Sequence, residues 1–598
     1  MARGPSGDWA RRYPPLAGSL IAVVVAVLVL PSALNVPQSN PTQTLEFAPV
    51  PPEDDAPPPP DSGNVESLSL GSSSTAPAGD ASGDGPGLPP PPPPPPGLGT
   101  RPVTKRCVGN PPRQSEDPLS PPCVAHFEGD NGGATYSGVT ADEVVIVVYM
   151  DDIGIATSSR GSENAPPHGL VDLAVPPEGE EFVKNRVLRA AQTYFNHRFQ
   201  TYNRFVHFYA YYGRPDATPE TRRAEAEQLI AELDPFAVVS YPERYAKEYA
   251  TALARSGVVN FMGRDIYNYE GRAGYTEDLY RQFPGLIWSF DPSINQRAEL
   301  FSSYVCSKVV PFPVSFSGNP GENGQPRSLA FLANQAPEFS EVTQYAQLIH
   351  EGLDDCGAVF TRELGFNSSG KAVCGENYQN AASNMAQLRQ DGITTIVWGG
   401  GIDVCQSTAA GAVQYRPEWV IPGDTVMDAN IYARTHEPSV HQFARTVSSY
   451  PRGGQLEDSQ CFEAAREGDP AMPVADTRFF CGHYADLRQL FTGIQVAGPR
   501  LSPEAMNLGF HAIPRLPSDE PAHEACFYLT DDYSCVKDAQ VSWWDPAARP
   551  PGRSEAGCWR LMEDGQRYLA GQWPQGDVEE QRDIANDPCN NLNGVELS

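Results

Sequence analysis

A run of apolar residues from Val144 to Met150 constrains the fold of this chain more than any other stretch. The run is rich in valine, follows a turn signal at Gly138, and ends at Asp151 and Asp152. An unbroken apolar run of this length is typical of a strand buried on both faces of a parallel sheet. Ligands of open α/β sheets bind outside the carboxyl ends of such strands, so Asp151 is a candidate binding residue. The ordinary alternative is a buried strand that merely ends in polar residues.

Strand and helix patterns alternate along the chain after this run. Thr218 and Pro219 begin a helix, with a hydroxyl at the cap and proline at the first helical position, and a short buried strand follows at Phe236 to Ser240. The alternation restarts after Phe290 and continues to a strand at Glu418 to Ile421. Short connections between alternating strands and helices favour parallel sheets with right-handed crossovers. The pattern therefore predicts an α/β protein of two lobes, each a parallel sheet with helices on both faces, with a cleft between them.

The segments of the chain differ in composition and pattern. We predict a signal or membrane anchor at 1–35, a disordered proline-rich stalk at 36–105, a cysteine-linked lead-in at 106–137, lobe 1 at 138–290, lobe 2 at 291–425, a return to lobe 1 at 426–515, and a C-terminal extension rich in Cys and Trp at 516–598.

The first two segments indicate export. Arginines precede an apolar run from Leu16 to Leu30, which Pro31 ends, as in a secretory signal. Cleavage of this segment and its retention as an anchor in the cytoplasmic membrane both stay open, and either places the rest of the chain outside the cytoplasm. The stalk contains unbroken proline from Pro89 to Pro96 and no apolar periodicity, so it favours an extended spacer; a polyproline ligand for a partner domain is the alternative.

Charge and cysteine content agree with an exported protein. The formal net charge of −31 disfavours binding to nucleic acid. All twelve cysteines lie beyond residue 100, and none forms a Cys-x-x-Cys pair, so we expect disulfides formed in an oxidising compartment. Proximity in the sequence makes Cys107 with Cys123, Cys461 with Cys481, and Cys526 with Cys535 candidate pairs.

The C-terminal extension has two interpretations. It contains the tryptophans Trp543, Trp544, Trp559 and Trp573. One interpretation is a disulfide-tied extension packed against the lobes. The other is a separate carbohydrate- or wall-binding surface made of exposed tryptophans.

Four segments together resemble a known family. They are Gly138-Val-Thr140 before the first strand, Ala226-Glu-Gln-Leu-Ile230, Tyr415-Arg-Pro-Glu-Trp-Val420, and Ala497-Gly-Pro-Arg-Leu-Ser-Pro-Glu504. Their order and spacing resemble the substrate-binding proteins of bacterial ABC importers, in particular the branched-chain amino acid binding proteins with the type 1 periplasmic-binding fold. The resemblance covers about residues 136 to 515. It implies two α/β lobes joined by three crossover strands, a ligand held in the cleft, a partner permease, and no catalysis.

The chain departs from that family where the ligand would bind. A long insertion beginning at Asp151 replaces a compact glycine-rich loop, Gly263-Arg264-Asp265 follows the fourth strand, and Tyr241-Pro-Glu-Arg244 follows the third. The family usually has small hydroxyl residues there. We therefore expect a small polar solute, of an amino acid-like kind, other than a branched-chain amino acid.

The residues that follow the strands define the predicted ligand site. If neighbouring strands begin at Val144, Phe236 and Val258, the residues on one rim are Asp151, Tyr241, Arg264 and Asp265, and those from the other lobe are Trp398, Gly399 and Asp424. A guanidinium holds a carboxylate, a carboxylate holds an amine or hydroxyls, and aromatic rings cover an apolar face, so the set suits a zwitterionic or polyhydroxylated solute. A surface ion pair between Arg264 and Asp265 is the alternative.

Signals for catalysis, metals and cofactors are weak. The chain has no nucleophile elbow, no zinc-protease motif and no phosphate-binding loop, so we predict a protein that is not an enzyme and has no cofactor. We interpret His436 with His441, and Cys481 with His483, as surface or loop residues. Asp130, Asn131 and Asp151 could supply oxygens to a calcium ion, but a solvated acidic loop is the favoured interpretation. A cell-wall hydrolase using Asp151 and Asp265 as acid and base, and an interaction protein without a ligand, stay open as alternatives.

Overall fold

The computed structural model describes residues 107–151, 168–214, 217–242, 245–263, 275–336, 340–367, 374, 377–401, 404–423, 427–450, 456–515, 524–550, 554–578 and 589. The predicted anchor and stalk lie outside these ranges. Among the described residues, no helix is long and apolar enough to cross a membrane.

The first sheet has six strands in the order β2-β3-β1-β4-β5-β6. Neighbouring strands are parallel except β2, which runs antiparallel to β3 at the edge. The strands are β1 Glu143–Asp151, β2 Gly169–Asp172, β3 Phe205–Gly213, β4 Ala237–Tyr241, β5 Val259–Met262 and β6 Ile287–Ser289. The strands that begin near Val144, Phe236 and Val258 are therefore neighbours, as the sequence predicts.

Helices cover both faces of this sheet. They are α1 Val183–Arg198, α2 Pro219–Leu233, α3 Ala246–Arg255 and α4 Glu277–Gln282. In β1, Ile146 and Val148 point into a core shared with α1, whereas Val147 and Tyr149 pack against α2 and α3. Both faces of β1 are buried, which confirms the interpretation of its apolar run. The predicted cap of α2 is also present, because the Thr218 hydroxyl accepts from the Thr221 N–H at 3.2 Å.

The second sheet follows in the chain. Its main path has the order β13-β12-β11-β10-β9-β7-β8, and β14 pairs with β12. The strands are β7 Leu329–Asn334, β8 Phe360–Phe366, β9 Thr395–Trp398, β10 Glu418–Pro422, β11 Ala444–Ser448, β12 Asp538–Asp545, β13 Cys558–Leu561 and β14 Tyr568–Leu569. Strands β7 to β11 are mutually parallel, and β12 is antiparallel to β11.

The remaining helices divide between the two lobes. They are α5 Ile294–Tyr304, α6 Ser340–Asp355, α7 Tyr378–Gln390, α8 Val404–Ala412, α9 Asn430–Ala433, α10 Pro438–His441, α11 Gln460–Gly468, α12 Val474–Ala497 and α13 Pro503–His511. Helices α5 to α10 belong to lobe 2, whereas α11 to α13 return to the core of lobe 1. The two-lobed α/β architecture with parallel-dominated sheets is thus confirmed.

The chain crosses between the lobes at three places. The first crossing leads from β6 into α5, the second from β11 to α11, and the third from a hairpin at Cys526–Val536 into β12. The hairpin extends the first sheet, because the Ser289 N–H donates to the Tyr533 carbonyl at 3.0 Å. At the lobe-2 side, the Gln540 amide donates to the Tyr450 carbonyl at 2.9 Å. Backbone and side-chain hydrogen bonds therefore tie the crossings to one another.

The C-terminal extension packs against both lobes: the Cys526–Val536 hairpin belongs to the core of lobe 1, and β12 to β14 belong to lobe 2. Strands β12 and β13 lengthen the sheet of lobe 2, and Trp544, Trp559 and Trp573 are each at most 3% exposed. Trp543 packs against the same lobe. The packed interpretation is therefore confirmed, and a surface of exposed tryptophans is excluded for these four residues. Lobe 2 also includes β11, so it extends beyond residue 425.

All twelve cysteines form disulfides. The expected local pairs Cys107–Cys123, Cys461–Cys481 and Cys526–Cys535 are present, together with Cys306–Cys356, Cys374–Cys405 and Cys558–Cys589. The last pair ties Cys589 to Cys558 of β13 in lobe 2. Disulfides of this number restrict the unfolded chain and fit an oxidising compartment.

Candidate functional site

The carboxyl ends of the two parallel sheets face each other. The carboxyl end of β6 leads directly into α5 of lobe 2, and the carboxyl end of β11 leads back towards α11 on lobe 1. Because the parallel neighbours of β6 and of β11 point the same way, every parallel strand ends on the side of the opposite lobe. We call these two surfaces the lobe-1 edge and the lobe-2 edge. They are the walls of the candidate site.

A polar cluster lies at the lobe-1 edge. Tyr241, the last residue of β4, is 1% exposed, and its hydroxyl donates to Asp486 Oδ2 of α12 at 3.0 Å. The Tyr241 ring meets the His483 ring edge-on, with centroids 4.8 Å apart. A Cβ at Gly263 would overlap the Tyr241 ring, so glycine after β5 lets this ring lie across the strand ends. The cluster brings a phenol, a carboxylate and a half-buried imidazole to the edge.

A second cluster closes the end of β1. The Asp151 carboxylate is 4% exposed and forms an ion pair with Arg222 of α2. Arg222 also contacts the Glu225 carboxylate at 3.0 Å, and the Tyr149 hydroxyl donates to that carboxylate at 2.7 Å. Burial alone would lower the pKa of Arg222, but the charge of Asp151 raises it, so the guanidinium stays charged. Asp151 therefore binds α2 to the sheet.

The described part of the lobe-2 edge contains glycine and buried aromatic groups. Trp398 ends β9 with 1% exposure, and its indole N–H donates to the Gly401 carbonyl at 2.9 Å. A Cβ at Gly399 would stand 2.8 Å from atoms of Ala333 and Phe331. Gly399 thus allows the turn after β9 to pack against β7. Trp398 holds this turn from inside the core.

Polar groups also lie at the end of β11. The Ser448 hydroxyl donates to the buried Asp428 carboxylate and accepts from the Tyr450 N–H at 3.1 Å. A Cβ at Gly423, after β10, would meet the Ser448 Cβ at 2.8 Å. These contacts fix the backbone that leaves lobe 2 at the second crossing.

The predicted site residues have mixed outcomes. Asp151 and Tyr241 end neighbouring strands, with Met150 opposite Tyr241 in the register, whereas Trp398 and Gly399 lie in lobe 2. Arg264, Asp265 and Asp424 lie outside the described residues and stay predictions.

Sequence reasoning missed Arg222, Asp486 and the site role of His483. Arg222 belongs to a helix start whose charged residues look solvent-exposed, yet its side chain is 1% exposed. Asp486 and Gln489 are buried polar residues of α12, a helix that also buries Arg488 and Gln495. Because polar residues recur along this helix, the sequence carried no signal that singled out Asp486.

Of the two pairs considered for metal binding, His436 lies in a loop as predicted and His483 is partly exposed, whereas His441 and Cys481 are buried in helices. His436 and His441 are 5% and 2% exposed, and their rings stack with centroids 4.4 Å apart. Burial lowers the pKa of His436 to about 4. Cys481 is bonded to Cys461, so it is not available as a ligand beside His483. In the described part of the chain, no group of three or more His, Cys, Asp or Glu residues is arranged to hold a metal ion.

Comparison with known proteins gave structural matches alone. No family model matches the chain, and no curated protein matches it. The solved structures that match include substrate-binding proteins of ABC transporters, among them branched-chain amino acid binding proteins, as the sequence resemblance predicted.

Three of these structures illustrate the degree of similarity. A substrate-binding protein from Aeropyrum pernix is 10% identical with a TM-score of 0.46, covering 76% of this chain and 99% of its own. A leucine-, isoleucine-, valine-, threonine- and alanine-binding protein from Brucella ovis is 10% identical with a TM-score of 0.45, covering 74% and 100%. A Rhodopseudomonas palustris solute-binding protein in complex with 3,4-dihydroxybenzoic acid is 9% identical with a TM-score of 0.44, covering 72% and 98%. At these scores the fold assignment rests on the strand order and crossings of the chain itself.

Proposed function

We propose that this chain is an exported solute-binding protein that captures a small polar solute between its two lobes. The observation that carries the proposal is the opposition of the two carboxyl edges across three chain crossings. A cleft between two lobes linked by a few strands can close around a ligand by hinge motion. Such closure provides capture without any chemical step.

Lobe 1 supplies the ionisable groups in this proposal. Tyr241, whose hydroxyl bonds the buried Asp486, positions the half-buried His483 ring at this edge, and Arg264 and Asp265 are predicted to follow β5. An arginine with carboxylates suits a zwitterionic or polyhydroxylated solute, because each ligand charge then meets its complement. Lobe 2 supplies the glycine turn at Gly399 and the predicted Asp424.

The partners follow from the N-terminal sequence. The apolar segment at Leu16 to Leu30 and the proline-rich stalk place the lobes outside the cytoplasmic membrane, either anchored or released. A captured solute would then pass to an ABC permease or be reported by a sensor. The net charge of −31 disfavours nucleic acid as a partner.

Capture is favoured over hydrolysis by the surroundings of Asp151. A catalytic acid–base pair needs two carboxylates that reach the substrate with separated pKa values. The Asp151 carboxylate instead is buried and paired with Arg222. It therefore serves the structure of lobe 1 rather than proton transfer.

Mass spectrometry of the solute that copurifies with the exported chain tests the function. We expect a small polar compound that raises the melting temperature when it is added back to the emptied protein and is recovered unchanged. Steady consumption of the compound would support the hydrolase instead. A chain that neither carries nor is stabilised by any solute would support the interaction protein.

The variant Tyr241→Phe ties that function to the lobe-1 edge. It removes the hydroxyl that bonds Asp486 and retains the ring against His483. We expect weaker solute binding than in the parent chain. Tyr202→Phe is the matched control, because the Tyr202 hydroxyl bonds the Gln495 carbonyl on another part of lobe 1. Equal loss of binding in both variants would contradict the placement of the site.

A further inference from the structure

A cavity of about 440 Å³ lies where the chain crosses between the lobes. We call it the crossing cavity. Its walls come from α4 of lobe 1, from α5 of lobe 2, and from the Cys526–Val536 hairpin with the residue that follows it. A volume of this size falls in the range of small-molecule sites. It is separate from the cleft edges described above, since none of Tyr241, His483 and Asp486 lines it.

The floor of the crossing cavity is a fully bonded polar network. The Lys537 ammonium contacts Asp532 Oδ2 at 3.0 Å and donates to the Ser534 carbonyl at 2.6 Å. The Ser534 hydroxyl donates to Gln296 Oε1 of α5 at 2.6 Å. Burial lowers the pKa of Lys537, and the charge of Asp532 opposes that change. Because its own partners occupy this ammonium, Lys537 is a rigid part of the floor rather than a free cation for an anionic ligand.

The walls combine aromatic rings with an excess of carboxylates. Tyr280 and Tyr533 line the cavity with their rings stacked at 6.4 Å. The Tyr280 hydroxyl is buried and has no hydrogen-bond partner of good geometry among the described residues. The lining contains the carboxylates of Glu277, Glu299, Asp531 and Asp532, against the two cations Arg281 and Lys537. Both cations already form ion pairs, whereas Asp531 and Glu299 are exposed at the rim.

These features select a positively charged ligand. The two rim carboxylates attract an ammonium group, and aromatic faces stabilise a cation placed over them. An anion would meet uncompensated carboxylates at the rim. Burial, and then the charges of Asp531 and Asp532, raise the pKa of Tyr533, as expected for a site of negative potential.

We propose that the crossing cavity is a second ligand site, for a small organic cation with primary ammonium groups. The proposal does not rest on the solute of the cleft. A cation bound here touches α4 of lobe 1 and α5 of lobe 2 at once, so its occupancy restricts the angle between the lobes. The site thereby couples the concentration of an amine to opening of the cleft.

Titration calorimetry of the full-length chain with 1,4-diaminobutane tests the proposal. The neutral analogue 1,4-butanediol has the same length and no charge, so it separates charge recognition from filling of the cavity. The titrations are run at about 150 mM salt, which screens long-range attraction of any cation to the acidic protein. We expect saturable binding of the diamine and none of the diol.

Variants locate the binding. The double variant Asp531→Asn and Glu299→Gln removes both rim charges, and we expect it to weaken diamine binding by about tenfold or more. Glu457→Gln, an exposed acid of lobe 1 outside the cavity, should leave diamine binding unchanged. Absence of diamine binding, equal affinity in the double variant, or equal binding of the diol would each overturn the proposal.

Discussion

The lobe-1 edge carries two clusters of ionisable side chains, whereas the described part of the lobe-2 edge has glycine turns, the buried Trp398 ring and one buried carboxylate, Asp428. At the lobe-1 edge, Asp151 pairs with Arg222, and Tyr241 bonds Asp486. At the lobe-2 edge, Gly399 lets a turn pack closely and Trp398 holds it from within. Under the proposed function, we infer that lobe 1 recognises the solute and lobe 2 covers it.

The largest effect is expected at the buried ion cluster of lobe 1. Arg222→Met leaves the Asp151 and Glu225 carboxylates buried without their cation, so we expect unfolding free energy to fall by about 3–5 kcal/mol. Arg223→Met, on the same helix, removes an exposed pair with Glu220 and should lower the unfolding free energy far less. Urea unfolding of both variants measures the difference. Equal losses would show that the buried pair does not hold α2 to the sheet.

Acid should act on the two lobes in opposite directions. In lobe 2, burial lowers the pKa of His436 to about 4 and that of its neighbour His441 well below the usual value. Both rings are neutral in the folded chain, whereas in the unfolded chain they take up a proton near pH 6.5. Their contribution to the free energy of unfolding is therefore complete above about pH 6.5 and is lost as the pH falls towards 4. For His436, we expect the free energy of unfolding to fall by about 3 kcal/mol over this pH range. The rings of Trp544 and Trp559 pack against His441, so β12 and β13 should loosen first.

His207 in lobe 1 has the opposite sign. Burial disfavours its charge, but hydrogen bonds to Glu143 at 2.5 Å and Asp172 at 2.7 Å outweigh burial and raise its pKa. Its stabilising contribution is therefore full below about pH 6.5 and is lost as pH rises through the raised folded pKa.

Hydrogen exchange between pH 4 and 8, read separately in peptides of each lobe, measures both trends. His441→Phe should flatten the acid response of lobe 2, and His207→Gln should flatten the opposite response of lobe 1. Acid loosening of lobe 2 that persists unchanged in His441→Phe would assign it to other groups.

Close packing at the lobe-2 edge gives a smaller effect. Gly399→Ala places a Cβ 2.8 Å from Ala333 and Phe331, so we expect a loss of about 1–3 kcal/mol in unfolding free energy. Adding Ala333→Gly removes one of the clashing atoms and should recover part of the loss. Thermal unfolding of the single and double variants decides between close packing and a turn that tolerates side chains.

The smallest effect on folding among these sites is expected at Tyr241, in the other cluster of the lobe-1 edge. Tyr241→Phe removes one hydrogen bond to Asp486 and should cost about 1 kcal/mol of stability. Its effect on solute binding should exceed that of Gly399→Ala if lobe 1 recognises the solute. Calorimetry with the copurified solute measures both effects. A larger loss of binding in Gly399→Ala than in Tyr241→Phe would assign solute recognition to lobe 2.

The sequence predicted strands and helices better than it predicted their partners. The apolar run of β1 and the capped start of α2 are local signals, and both are present in the structure. Strand β12 follows β11 in the sheet but is separated from it in the chain by α11 to α13, so no local pattern predicts the pairing. Its addition to lobe 2 buries tryptophans that the sequence allowed to be exposed.

The candidate site was harder to predict for a physical reason. Side-chain direction decides whether a polar residue after a strand faces a ligand or a neighbouring element. A Cβ at Gly213 would overlap the Tyr149 hydroxyl, so glycine there gives Tyr149 room beside Arg222 and Asp151. That arrangement depends on α2 and two strands together, and sequence spacing does not encode it.

The distance between the lobes in solution tests the central claim most directly. All twelve cysteines are in disulfides, so spin labels are attached by non-cysteine chemistry in place of Ala224 of α2 and Gln390 of α7, two exposed positions on opposite lobes. We expect electron–electron distance measurements to show a shorter and narrower distribution when the copurified solute is added. We also expect Tyr241→Phe to need more solute for the same change. A distance distribution that stays the same at saturating solute would contradict capture by closure of the two lobes.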